Sequence, residues 1–189
     1  PRATPPPATG PASGSTTALR FVLLRHSESA KGGGVKDFER PLTARGLEDA
    51  GAVARSLAGK GYVPGLILCS DTTRSRQTIE AMAAAEEGFK GAEVRYLASY
   101  YKYAALDGET AGHLRETVSE HAGQEGAHST VMVVGHNQGW EEAASDFASR
   151  PISLATANAA VLGRAGEGLS WGQALTDGAP WEFLDLVTP

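Results

Sequence analysis

FVLLRHSE, residues 21–28, contains the clearest strand signal in the chain and, directly after it, the first candidate for chemistry. The apolar run from Phe21 to Leu24 predicts a strand over residues 20–24. It resembles a parallel strand covered on both faces, because a half-exposed strand would alternate apolar with polar side chains. Arg25 and His26 follow at once. Polar groups that come directly after a buried strand lie at the edge of a sheet, where open α/β folds bind their ligands.

Short apolar runs alternate with helical periodicity along the rest of the chain, which predicts an α/β fold. We expect a three-layer sandwich with a mostly parallel central sheet and helices on both faces. The predicted strands are residues 20–24, 65–69, 92–97, 129–134, 157–162 and 181–187, and the predicted helices are residues 43–60, 73–87, 110–121 and 140–149.

The C-terminal part departs from this alternation, because no helix is predicted between the last two strands. They are therefore expected to pair antiparallel at the edge of the sheet. Residues 163–168 predict a hairpin turn, and residues 169–175 predict a further short strand.

Length and composition indicate one domain with an ordinary core. The chain has 189 residues, of which 41% are hydrophobic and 21% are charged. Residues 1–18 are rich in Pro, Ser and Ala and predict a disordered leader, and residues 19–189 predict a single catalytic domain. The leader lacks acidic residues, which is compatible with a cytoplasmic protein or with the remnant of a plastid or mitochondrial transit peptide.

Charge and hydropathy argue against several classes of partner. The net charge is −5 and no basic stripe is evident, so a nucleic-acid partner is not expected. No apolar run reaches the roughly 18 residues of a membrane span. No heptad pattern indicates a coiled-coil interface, so a monomer is the default. The single cysteine, Cys69, excludes an internal disulfide and is expected to be a buried strand residue.

Two histidines and two arginines follow three of the predicted strands. Arg25 and His26 follow the first, Arg74 the second and His136 the fourth, so all four are expected at one edge of the sheet. Two guanidinium groups match the oxygens of a phosphoryl group and neutralise its charge. An unprotonated imidazole can then attack phosphorus and form a phosphohistidine intermediate, which water cleaves. This scheme requires neither a metal nor a cofactor.

Three segments contain these residues, LRHS at 24–27, SDTTRSRQT at 70–78 and VGHN at 134–137, and a fourth, RPLTARG at 40–46, lies at the start of the first predicted helix. Together they resemble the motifs of the histidine phosphatase (phosphoglycerate-mutase-like) superfamily, in which a Pro is usual where this chain has Asp71. The resemblance covers residues 20–187 and implies that His26 is the nucleophile and that Arg25, Arg74 and His136 form the phosphate pocket. In its small size and its lack of a helical insertion, the chain is most similar to the SixA-type phosphohistidine phosphatases.

The general acid of the reaction has no clear candidate. Many relatives carry a Glu after the third strand, and here Asp107 and Glu109 are the nearest acidic residues, although neither lies in a recognisable motif. Ser27 and Asn137, which adjoin the two histidines, are further candidates for contacts with substrate. Tyr100, Tyr101 and Tyr103 either line the entrance of the site or pack elsewhere.

Three functions therefore remain open. The first is a phosphatase for phosphohistidine in a protein, whose labile P–N bond needs little help from an acid. The second is a phosphomonoesterase for a small phosphorylated molecule. The third is a non-catalytic phosphate-binding or adaptor domain, which would not need the histidine nucleophile.

Overall fold

A computed structural model describes residues 16–32, 34–123 and 128–189, which form six strands and six α-helices. The strands are β1 (Thr16–Arg25), β2 (Leu66–Ser70), β3 (Glu93–Leu97), β4 (Thr130–Gly135), β5 (Ala159–Glu167) and β6 (Glu182–Val187). The helices are α1 (Ala44–Gly59), α2 (Thr73–Ala85), α3 (Ser99–Tyr103), α4 (Thr110–His121), α5 (Gly139–Ala148) and α6 (Trp171–Thr176).

The six strands form one sheet in the order β3-β2-β4-β1-β5-β6. Strands β1 to β4 pair in parallel, while β5 pairs antiparallel with both β1 and β6. The predicted α/β sandwich, its mostly parallel sheet and its antiparallel C-terminal edge are thereby confirmed. The carboxyl ends of β1, β2 and β4 are adjacent, which brings the segments that follow them to one place.

Strand β1 supplies side chains to both faces of the sheet, because successive residues of a strand point in opposite directions. Phe21 and Leu23 join the core beneath α4, α5 and α6, and Val22 and Leu24 join the core beneath α1 and α2. All four are fully buried. This two-sided burial explains the uninterrupted apolar run of β1. The strand ends at Arg25, the first polar residue after that run.

The predicted short strand over residues 169–175 is wrong, because this segment forms helix α6. The Ser170 side chain accepts a hydrogen bond from the Gln173 backbone, and the Gln173 side chain accepts one from the Ser170 backbone. This reciprocal pair is a capping box, which satisfies backbone groups at the first turn of a helix. The expectation that no helix separates the last two strands fails for the same reason.

The predicted hairpin turn over residues 163–168 is also wrong, because β5 continues through Glu167. Its second half pairs with the beginning of β1, where Thr16 lies opposite Glu167. Strand β1 thus begins four residues earlier than predicted and includes the last three residues of the predicted leader. Residues 1–15 lie outside the described residues, so their predicted disorder stays a prediction.

Candidate active site

A cavity of about 900 Å³ lies at the carboxyl edge of the parallel strands. Five residues that the sequence placed in the site line its wall: Arg25, His26, Arg74, His136 and Asn137. Three of these side chains are almost completely buried, with exposed fractions of 7% for His26, 3% for Arg74 and 5% for His136. They therefore form the floor of the cavity.

The His26 ring presents an unprotonated nitrogen to the cavity. Its Nδ1 lies 2.7 Å from the Ser27 carbonyl oxygen, which can only accept, so Nδ1 carries the proton. Arg74 Nε donates to His26 Nε2 at 3.1 Å, which requires a lone pair on Nε2. Burial, together with the nearby Arg74 and Arg25 charges, lowers the pKa of His26 from 6.5 to about 4. The imidazole is thus neutral and nucleophilic at Nε2 near neutral pH.

We expect the His26 ring to remain neutral well below the pH at which an ordinary histidine titrates. A ring-selective ¹H–¹⁵N NMR titration, assigned with a His26→Asn variant, should show the Nδ1–H tautomer at about one pH unit below the usual pKa of about 6.5. The unfolded chain binds this proton at higher pH than the folded chain does. The contribution of His26 to stability is therefore present above pH 6.5 and is lost as the pH falls towards about 4. A midpoint at or above pH 6.5 in the NMR titration of His26 would contradict a buried ring beside Arg74 and Arg25.

Arg74, the second residue of α2, connects the two histidines. Its Nε contacts His26, and its Nη2 lies 3.2 Å from His136 Nδ1. The Thr78 hydroxyl accepts a hydrogen bond from the Ser27 backbone at 3.1 Å and donates to the Arg74 carbonyl at 2.7 Å. The start of α2 is thereby attached to the loop that carries His26, which holds the Arg74 guanidinium against the His26 ring.

His136 is also neutral in this arrangement. Arg74 can only donate, so His136 Nδ1 accepts and Nε2 holds the proton that points to Ser70 Oγ, at 2.7 Å. Burial first, and then the neighbouring His26 and Arg74, lower the pKa of His136 to about 2. Ser70, which ends β2, was not singled out by the sequence analysis as a site residue.

Arg25 supplies a second guanidinium to the cavity. Its Nη1 donates to the Leu154 carbonyl at 2.8 Å, which fixes the side chain against the loop before β5. Its Nε is buried and has no hydrogen-bond partner among the described residues. A buried donor without a partner is costly, which is typical of a group whose partner is a ligand.

Asp37 is the main site residue that the sequence analysis missed. It begins a short 3₁₀ turn, Asp37–Glu39, and lines the same cavity. Its Oδ2 accepts from Arg74 Nη2 at 3.1 Å and from the Tyr101 hydroxyl at 2.9 Å, and its Oδ1 accepts from Arg40 at 2.9 Å. Partial burial opposes ionisation, but the hydrogen bonds from Tyr101 and Arg40 outweigh it and lower the pKa of Asp37 to about 2. Asp37 is therefore an acceptor and not an acid.

Other predicted site residues lie away from the cavity wall. Ser27 is fully buried and does not line the cavity; its backbone, and not its hydroxyl, has a described partner. Asp107 borders a smaller neighbouring cavity, together with Asn137, whereas Glu109 lines none of the described cavities. Neither acidic residue therefore lines the cavity that holds His26, and a role as general acid stays a prediction.

The three tyrosines separate into different roles. Tyr101 lines the cavity, and its ring lies edge-on to His136 at 5.5 Å between centroids. Tyr100 is fully buried and hydrogen-bonded to Thr117. Tyr103 stacks on His113 at 3.8 Å. Only one tyrosine of the cluster thus faces the site, because the helix α3 turns successive side chains away from one another.

The described residues contain neither a metal-binding cluster nor a membrane-spanning helix. Among the residues that the structure describes, no three His, Cys, Asp or Glu side chains are grouped so that they could hold a metal ion. Within the same residues, no helix is both long enough and apolar enough to cross a bilayer. Cys69 is completely buried, and burial raises the pKa of its thiol, as expected for a structural strand residue.

Comparison with known proteins identifies close sequence and structural relatives. Residues 21–99 match the sequence profile of the histidine phosphatase superfamily, branch 1. An uncharacterized chloroplastic protein of Arabidopsis thaliana is 42% identical over 94% of this chain and 82% of its own length. An uncharacterized protein of Mycobacterium tuberculosis is 33% identical over 76% of this chain and 79% of its own length.

Solved structures show the same architecture. A candidate phosphohistidine phosphatase SixA from Nakamurella multipartitia superposes with a TM-score of 0.70 at 26% identity, covering 91% of this chain and 96% of that one. A similar protein from Agrobacterium tumefaciens gives a TM-score of 0.68 at 27% identity, covering 90% and 98%. The structure of the protein histidine phosphatase SixA with tungstate matches at a TM-score of 0.68 and 17% identity over 90% and 97%, which is evidence for the fold alone.

Proposed function

The chain belongs to the histidine phosphatase superfamily and is a phosphatase, and from this premise we propose that it is a metal-independent phosphohistidine phosphatase with His26 as nucleophile. One observation carries the proposal. A single guanidinium, that of Arg74, donates to an unprotonated nitrogen of His26 and to a nitrogen of His136 at the floor of one cavity. The nucleophile and the phosphate-binding charge are therefore already assembled.

In the first step, Arg74 Nε transfers its hydrogen bond from His26 Nε2 to a phosphoryl oxygen. The freed lone pair of Nε2 attacks phosphorus while the bond to the leaving group breaks. Nδ1 keeps its proton, which it donates to the Ser27 carbonyl, so the ring becomes a phosphorylated imidazolium and no separate base is needed. Arg74 and Arg25 balance the charge on the equatorial oxygens, which is where it spreads in the transition state. In the second step, a water oxygen attacks the same phosphorus, and His26 Nε2 leaves with the electron pair of the P–N bond.

His136 can change its tautomer when phosphate arrives, because the Ser70 hydroxyl can either accept or donate. If Ser70 donates to Nε2, the proton of His136 resides on Nδ1 and faces the cavity. Nδ1 then donates to a phosphoryl oxygen in the place where it accepted from Arg74. The neutral His136 thus becomes a hydrogen-bond donor to phosphate without net protonation.

No general acid is assigned among the described residues of the cavity, which favours a substrate with a labile bond. Two carboxylates line the wall, Glu28 and Asp37. Asp37 is ionised, and the Glu28 carboxylate accepts a hydrogen bond from the Thr43 hydroxyl at 2.9 Å. General acid catalysis contributes about 10²–10⁴-fold when a leaving group needs a proton. A site without an assigned acid suits phosphohistidine, whose leaving imidazole departs readily.

The proposal is tested with two peptides of one sequence that carry either phosphohistidine or phosphoserine, both assayed in excess EDTA. We expect kcat/KM for phosphohistidine to exceed that for phosphoserine by at least about 100-fold, which is the low end of the contribution of a general acid. Equal efficiency would favour a phosphomonoesterase for small substrates. Activity that EDTA abolishes would contradict metal independence. Phosphate binding without any turnover would support a non-catalytic domain.

We also propose that the protein acts in a plastid, because the relative from Arabidopsis thaliana is described as chloroplastic and the first 17 residues contain no acidic side chain. A fluorescent protein fused to the C terminus of the full-length protein should accumulate in the plastids of plant cells, and a diffuse cytoplasmic signal would contradict this.

The expected monomeric state and the absence of nucleic-acid and membrane partners remain predictions from the sequence.

A further inference from the structure

Asp37 is an unexpected residue in a cavity that binds an anion. An ionised carboxylate repels a phosphoryl group, and it occupies donors of Arg74 that the phosphoryl oxygens need. Arg74 from α2, Tyr101 from α3 and Arg40, directly after the same 3₁₀ turn, nevertheless hold it in place. A carboxylate that opposes phosphate binding and is nevertheless held by several partners, with a strongly shifted pKa, indicates that its position has a use.

Asp37 lies on the side of the cavity through which a leaving group must depart. His26 and Arg74 form the buried floor, whereas the Asp37 side chain is 51% exposed and lies above Arg74. In phosphoryl transfer, the attacking and leaving atoms are roughly in line on opposite sides of phosphorus. Attack from His26 at the floor therefore directs the leaving group towards the mouth, where Asp37 and Tyr101 are.

The aromatic surroundings of Asp37 suit a flat ring. Tyr101 lies edge-on to Phe38, with ring centroids 5.5 Å apart, and its hydroxyl donates to Asp37. Phe38, next to Asp37 in the chain, is 37% exposed and contacts Tyr101 from outside the lining of the cavity. The mouth thus combines the negative charge of Asp37 with the aromatic ring of Tyr101, a pairing that favours cationic rings.

We infer that Asp37 is a specificity-determining residue that selects a cationic leaving group, the imidazolium form of phosphohistidine, by accepting a hydrogen bond from the ring nitrogen that does not carry phosphorus. This inference rests on the proposed function and names how the site favours that substrate. Such a site needs no general acid, because the leaving imidazole already carries a proton on its other ring nitrogen.

The chemistry balances without a further reactant. The substrate ring carries phosphorus on one nitrogen and a proton on the other. As the bond from phosphorus to His26 Nε2 forms, the bond from phosphorus to the substrate nitrogen breaks, and that nitrogen keeps the electron pair. The substrate ring leaves as neutral imidazole with its original proton. Asp37 stabilises the cationic ring before the transfer and remains ionised throughout, because an adjacent negative charge raises the pKa of an imidazolium.

The test compares Asp37→Asn with wild type on phosphoimidazole and on nitrophenyl phosphate, which has a good leaving group but no ring proton. The asparagine keeps the shape and an acceptor oxygen but loses the charge. We expect the ratio of kcat/KM values, phosphoimidazole over nitrophenyl phosphate, to fall by about tenfold or more, as a lost charge partner shifts an imidazolium pKa by at least about one unit. Glu39→Gln removes an equal charge from the same 3₁₀ turn outside the cavity and should leave the ratio unchanged.

Each other outcome has a definite meaning. If Asp37 only competes with phosphate for the donors of Arg74, Asp37→Asn will turn over both substrates faster and the ratio of the two kcat/KM values will stay constant. That result would overturn the inference. A ratio that falls equally in Glu39→Gln also overturns it, since general surface charge would then be the cause. If wild type cleaves neither substrate, the proposed function fails and this inference fails with it.

Discussion

Replacement of His26 by alanine is expected to lower kcat by about 10⁴-fold or more, because removal of a covalent nucleophile leaves only the contribution of substrate binding. Arg25, Arg74 and His136 would still bind phosphate, so KM should change far less than kcat. The loss should be the same for phosphohistidine peptide and for aryl phosphate. An aryl phosphate does not need an acid, so its loss reports on the nucleophile alone.

A trapped intermediate would test the same residue directly. Wild type mixed with ³²P-labelled substrate and quenched in alkali should retain label on the protein, and acid should release it, as expected for a phosphorus–nitrogen bond. Peptide mapping should locate the label at His26. His121→Gln is the matched control, because His121 ends α4 on the exposed surface and contacts Arg95 outside the cavity. A His26→Ala protein that retains more than about a tenth of wild-type kcat would exclude this nucleophile.

The positions of both histidines could be predicted from the sequence because they depend on sheet topology alone. A buried parallel strand ends where its apolar run ends, and the ends of β1, β2 and β4 meet at one edge. His26, Arg74 and His136 therefore converge however the loops are arranged. Their family motifs contain the same information, since each motif is a strand end followed by a polar group.

Asp37 could not be found in this way because its position depends on a loop. Residues 30–40 have no helical or strand periodicity, and Asp37 reaches Arg74, 37 positions further along the chain, through a single 3₁₀ turn. One signal was available, because Asp37 and Arg40 have the i, i+3 spacing of a helical ion pair. That spacing predicts a local contact but not the direction in which the carboxylate points.

The errors in the C-terminal part also have a physical origin. Trp171, Ala174 and Leu175 form a short apolar group that fits a strand or one helical turn equally well, and the Ser170–Gln173 spacing of a capping box was the signal that distinguished them. The glycines at 163, 166 and 168 suggested a turn. Pairing with the first residues of β1 keeps β5 extended instead, which local sequence cannot reveal.

Replacement of Arg74 by alanine is the second large effect, with an expected loss of about 10³-fold or more in kcat/KM, since a guanidinium that neutralises charge in a phosphoryl-transfer transition state contributes on this scale. Arg74→Lys retains the charge, but one ammonium cannot contact His26, His136 and Asp37 together, because its donors share a single nitrogen. We therefore expect the lysine variant to recover only part of the loss. Steady-state kinetics with aryl phosphate measure both values.

The control for Arg74 lies on the same helix. Arg76 pairs with Asp71 and covers the Tyr96 ring at 3.8 Å, outside the cavity, so Arg76→Ala removes an equal charge without touching the histidines. A similar loss in both alanine variants would mean that the total positive charge, and not the placement of Arg74, drives the reaction. Arg74→Lys with full activity would mean that a point charge suffices and that the fork between the two histidines has no catalytic role. Selective loss in the Arg74 variants would show that the guanidinium acts through its simultaneous contacts with His26, His136 and Asp37. These contacts require the end of β1, the start of α2 and the end of β4 to meet at one edge of the sheet.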